Sequence, residues 1–203
     1  MPPAIVASTG IDALTHAIES YLGHSSTKKT KDYALKATAL IKDNLYPFYQ
    51  DPKNEKARAA MQKAAYLAGV SFTRAYVGYV HALAHALGGY YNVPHGLANA
   101  VLLPYVLRAY GKSAYKRLAE ISDYLELASP SLTPGEKANA LISWIEDLNA
   151  KMGIPKTFNH VIKKEDLRAL SAHAAKEGNP LYPVPKEFSR KELAKIYQEV
   201  DPQ

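Results

Sequence analysis

Apolar residues recur at three- and four-residue steps through most of the chain, and no run of alternating β-branched residues marks a central strand. The pattern predicts an all-α protein. A first helix is expected to start after Ser8-Thr9-Gly10 and run to about Gly23, its start signalled by a hydroxyl residue followed three positions later by Asp12. A second spans about Thr30 to Tyr49, with Pro47 and Pro52 marking its end, and an alanine-rich third spans about Glu55 to Arg74. A fourth carries about Gly78 to Leu87 before Gly88-Gly89 breaks it. After the Pro94-His95-Gly96 turn, a helix from about Leu97 meets Pro104, which is expected to kink or end it. A shorter helix near Ser113 to Leu125 and a long one after Thr133 follow. Thr133-Pro134-Gly135-Glu136 and Ser189-Arg190-Lys191-Glu192 are capping boxes, and Asn179 to Pro185, with three prolines, reads as an extended crossing of the surface.

At 203 residues, with nearly half of them apolar, the chain is long enough to bury a real core and is expected to form one compact domain over 1–203. No basic start followed by an apolar run suggests a leader, and no stretch approaches the roughly 18 apolar residues of a membrane span. A soluble, cytoplasmic protein is expected. The absence of cysteine excludes disulfides, thiolate metal sites and a cysteine nucleophile, so any metal must be held by nitrogen and oxygen. The net charge of +6 comes from lysines and arginines scattered among acids, which argues for solvated helix faces and against a nucleic-acid partner. Fifteen tyrosines at helical spacings fit rings packed inward with hydroxyls at a wet rim.

Three short patterns carry candidate chemistry. Asp12-Ala13-Leu14-Thr15-His16 sets a carboxylate and an imidazole one helical turn apart on one face. His81-Ala82-Leu83-Ala84-His85 repeats the four-residue step among small and apolar neighbours, where two buried histidines would repel if both were charged and a cation nearby resolves the conflict. Ten residues after His85, past the double glycine, comes Asn92-Val93-Pro94-His95-Gly96, a turn able to return a third imidazole to the same place. Asp12, His16, His81 and His95 thus form an N/O set of four potential ligands, with His85 at hand. Four protein ligands plus a substrate oxygen exceed the four positions of ordinary catalytic zinc, which favours iron(II) and leaves manganese, cobalt and an expanded zinc site open. Glu19, two turns from Asp12 on the same face, is a candidate supporting carboxylate, although a solvated one is commoner. His24, His160 and His173 lack a ligand partner at useful spacing and are read as surface residues.

The string from Thr9 to Glu19 and the string from Gly78 to Pro104, GYVHALAHALGGYYNVPHGLANAVLLP, closely resemble the signature segments of the iron-containing, group III alcohol dehydrogenases. The resemblance covers essentially the whole chain and implies that family's helical C-terminal domain, a multi-helix bundle also found in the dehydroquinate synthase-like fold. It implies that Asp12, His16, His81 and His95 are the metal ligands. It implies further that His85 lies near nicotinamide and substrate in a proton-relay or positioning role, and it places Phe72 at a position lining the substrate pocket, where a core phenylalanine is equally expected. Family members often have proline after the second histidine of the pair; here Ala86 stands there.

By the same resemblance, the activity is alcohol–aldehyde interconversion, with a Lewis-acid metal and hydride passing to NAD or NADP. No glycine-rich strand-turn-helix for a pyrophosphate occurs in the chain, so the nucleotide-binding domain is expected to be absent and the chain to be a separated half, inactive alone unless another polypeptide supplies that domain. Two rivals remain. A helical metallo-hydrolase is disfavoured because its usual adjacent His-Asp pair does not occur. A non-enzymatic metal-binding or assembly module predicts an exposed apolar face and a homo-oligomer.

Overall fold

In the computed structural model, which describes residues 1–202, the described residues form nine α-helices and no strand, as the periodicity predicts. α1 (Pro3–Leu22), α2 (Lys28–Gln50) and α3 (Glu55–Ala75) pack on one another, and α1 also lies against α5 (His95–Tyr110). α4 (Tyr79–Tyr91) packs on both α5 and α8 (Leu167–Gly178), α9 (Arg190–Val200) covers α8 and α5, and α6 (Lys112–Tyr124) pairs with α7 (Pro134–Lys151). Ile11, Leu14 and Ile18 of α1 are fully buried together with Ile41 and Leu45 of α2, Leu83 and Leu87 of α4, and Leu102 of α5. These side chains form the continuous apolar centre against which the polar face of α1 is registered. No helix of the described residues is long and apolar enough to cross a membrane.

Both predicted capping boxes are present, with Thr133 and Ser189 each accepting from the backbone N–H three residues on. Three helices differ from expectation in extent, and a fourth has no expected counterpart. α1 starts at Pro3 and runs through Ser8-Thr9-Gly10, because Ser8 and Thr9 turn their hydroxyls back to the Ile5 carbonyl, so Asp12 lies mid-helix and caps nothing. α4 continues through Gly88-Gly89 to Tyr91 and ends where Asn92 takes the left-handed conformation at φ 55°, which asparagine tolerates. α5 starts at His95 and passes Pro104 to reach Tyr110; the Ala100 carbonyl, which proline cannot serve, accepts instead from Asn149 Nδ2 of α7 at 2.8 Å. α8 has no predicted counterpart, its apolar positions being mostly alanine.

The start of α5 lies hard against α1. A Cβ on Gly96 would sit 2.6 Å from the Ser8 carbonyl oxygen, a backbone atom that cannot step aside, whereas one on Gly69 in α3 would meet nothing within 4 Å. Gly96→Ala is therefore expected to destabilise the protein by about 1–3 kcal/mol, and Gly69→Ala to stabilise it by about 0.5–1 kcal/mol through the helix preference for alanine. Denaturant unfolding of the two variants checks both signs; equal midpoints would overturn the close approach.

Candidate metal centre

Asp12, His16 and Glu19 follow one another at steps of four and three residues, so α1 presents all three on the face turned towards α4 and α5. Asp12 Oδ1 lies 3.5 Å from His81 Nε2 and 3.4 Å from His95 Nε2. Candidate ligand atoms of Asp12, His81 and His95 all fall within 4.8 Å of one another, the one such group among the described residues. His81 is buried, Asp12 half-buried and His95 exposed, so the group has a closed floor and an open side.

His16 stands beside this group. Its ring stacks on Phe72 at 4.2 Å between centroids and on His81 at 4.4 Å, so Phe72 touches the histidine directly from α3. His85, one turn beyond His81, is exposed; its ring stacks on His95 at 5.2 Å and its Nδ1 lies 2.7 Å from Glu177 Oε1. His24, His160 and His173 are exposed, as expected, although His173 meets Tyr90 edge-on and joins it in lining a cavity next to His85.

Glu19 is buried, contrary to the commoner expectation for a helix-face carboxylate. It has no solvent because it takes the place of a cap for α4: Oε2 accepts from the Gly78 N–H and Oε1 from the Val80 N–H, both at 2.8 Å. A Cβ on Gly78 would stand 2.7 Å from Oε1, so glycine is what lets the backbone come this close. Oε2 also lies 2.6 Å from His81 Nδ1, which holds the ring with Nε2 towards Asp12. Asn99, one turn after His95 on α5, is fully buried and donates Nδ2 to Asp12 Oδ1 at 2.6 Å and to His95 Nε2 at 3.0 Å. Sequence reasoning missed Asn99 and Glu177; the four-residue step from His95 to Asn99 was the available signal for the first.

The charges sort themselves by environment. Burial opposes a proton on His81, but the contacts with Asp12 and Glu19 outweigh it and raise the ring to about 9. His16 is pushed down to about 4, first by burial and then by the neighbouring His81 charge, so the stacked pair carries one charge and not two. Burial works against ionised Asp12 as well, yet the close approach of the His81 and His95 rings, with His16 nearby, holds its carboxyl far below the usual range. His81 Nε2 is buried without a hydrogen-bond partner. An all-N/O set around an unpartnered imidazole nitrogen, with one carboxylate inside and one behind, is chemically suited to a divalent cation.

Comparison with known proteins identifies the family of the chain. The family described as Fe-containing alcohol dehydrogenase family, C-terminal, matches residues 6–200. Alcohol dehydrogenase 4 of Saccharomyces cerevisiae is 43% identical over 199 residues, and 1,3-propanediol dehydrogenase of Citrobacter freundii is 38% identical over 199 residues. Those matches take in 97% and 98% of this chain but 50% and 51% of the relatives, so the chain spans about half their length. The crystal structure of a 1,3-propanediol oxidoreductase superposes with a TM-score of 0.94 at 36% identity, over 98% of this chain and 52% of the other. Nearly every residue lies inside the match and the helices superpose closely on those of a solved relative; this chain belongs to the Fe-containing alcohol dehydrogenase family and corresponds to its C-terminal part.

Proposed function

We propose that Asp12, His16, His81 and His95 hold one divalent cation, iron(II) before zinc, in the metal-binding half of an NAD(P)-linked alcohol dehydrogenase. The observation that carries this reading is His81: one ring nitrogen faces the buried Glu19 carboxylate and the other is buried without a hydrogen-bond partner, 3.5 Å from Asp12. A histidine backed by a carboxylate in this way is the usual form of a metal-ligating imidazole. The number of ligands favours iron(II) over tetrahedral zinc.

A cation held there would supply Lewis-acid polarisation of an alcohol oxygen, and a nicotinamide would be the hydride acceptor. The chain's own residues prepare the place. Asp12 brings the negative charge, Asn99 fixes its Oδ1, and Phe72 packs flat on His16 and shields that ring from water. His95, on the open side, and His85, stacked on it, face the direction from which a small alcohol or aldehyde arrives. The relatives named as alcohol and 1,3-propanediol dehydrogenases support that substrate class. The described residues contain no strand, so the nicotinamide fold is assigned to polypeptide other than these helices.

Elemental analysis of protein purified without added metal is expected to find close to one divalent ion per chain, and His81→Ala and His95→Ala to lose it. Unchanged metal content in both variants would overturn the ligand set. Glu19→Gln keeps the ligands and weakens their support, so about 10–100-fold lower metal affinity is expected in a chelator competition. The 203-residue chain on its own is expected to give no alcohol-dependent reduction of NAD or NADP; robust turnover by it would refute the division of labour proposed here.

A further inference from the structure

We propose that Glu177 is a positioning residue that fixes His85 as a hydrogen-bond acceptor for a hydroxyl group entering the cavity between α4 and α8. The cavity measures about 550 Å3 and is lined from α4 by His85, Gly89 and Tyr90 and from α8 by His173, Lys176 and Glu177. His85 keeps 46% of its side chain exposed, so burial alone does not fix its ring. Two contacts do. The face of the ring stacks on His95 with 17° between planes, and Nδ1 lies 2.7 Å from Glu177 Oε1. The same carboxylate oxygen accepts the Tyr182 hydroxyl at 2.6 Å, so Glu177 is itself tethered from the segment that follows α8.

A carboxylate can only accept, so its partner on a neutral imidazole must be the protonated nitrogen. Glu177 therefore selects the Nδ1–H tautomer and leaves Nε2 as an acceptor. The arrangement repeats, one turn along α4, what Glu19 does for His81: in each case a carboxylate from a neighbouring helix faces Nδ1. The first pair is buried and serves the cation site; the second is open and serves the cavity. A His–Glu contact that does not persist in solution would leave the two tautomers of His85 mixed. The tautomer assignment stands on geometry alone, whereas equating the hydroxyl with that of the alcohol substrate rests on the function proposed above.

Long-range 1H–15N correlation spectra of histidine-labelled protein, recorded metal-free and with zinc at a pH where the ring is neutral, test the assignment. The His85 signals are identified by their loss in His85→Asn. Wild type is expected to give the Nδ1–H pattern and Glu177→Ala to shift to the Nε2–H pattern of a free side chain. Glu177→Gln is expected to restore the wild-type pattern, because its amide oxygen still accepts. An Nε2–H pattern in wild type, or an unchanged pattern in Glu177→Ala, would overturn the proposal; the wild-type spectrum suffices if the alanine variant does not fold. Zinc stoichiometry from the same samples reports on the ligand set separately, so failure of one reading is distinguishable from failure of the other.

Discussion

The arrangement depends on one buried carboxylate. Glu19 cannot be left ionised in the interior without partners, and its three partners all come from the start of α4: two backbone N–H groups and the His81 ring. Breaking a buried pair of this kind typically costs about 3–5 kcal/mol, because the remaining charge is stranded. The same contacts fix the position of α4 along α1, and with it the distance between Asp12 and His81. Structural support and chemical preparation are here a single set of hydrogen bonds.

The third element of the site is held by different means. α5 reaches α1 through a glycine at its first turn and is tied to α7 where Pro104 frees the Ala100 carbonyl for Asn149. Asn99 then spans the gap, one amide touching both the α1 carboxylate and the α5 imidazole. The site combines a charge-assisted contact on one side with close backbone approach and a neutral amide on the other. That mixture lets the net charge at its centre stay low while three polar side chains converge.

Much of this was legible in the residues. The three- and four-residue periodicity specified an all-helical chain, the capping boxes at Thr133 and Ser189 marked two starts correctly, and the DxxxH, HxxxH and PHG patterns pointed to side chains that the fold gathers at one place. What escaped depended on tertiary partners. Pro104 reads as a helix breaker until Asn149, 45 positions later, supplies the missing donor. Gly88-Gly89 reads as a stop until Asn92 is seen to provide the reversal. Glu177 carries no local signal, since nothing in an alanine-rich twelve-residue helix indicates that its last turn faces His85. Ser8-Thr9 misled in the opposite sense, offering a cap that the helix passes through.

α8 differs from the helices that bear the proposed ligands in one respect. α1, α4 and α5 meet at Asp12, His81 and His95, so a substitution on any of their inward faces disturbs all three. α8 packs on α4 but sends only His173, Lys176 and Glu177 to the cavity wall. Glu177 ties this helix to the His85 ring, whereas the exposed His173 and Lys176 can be exchanged to suit guests of different shape and polarity while that contact stays as it is.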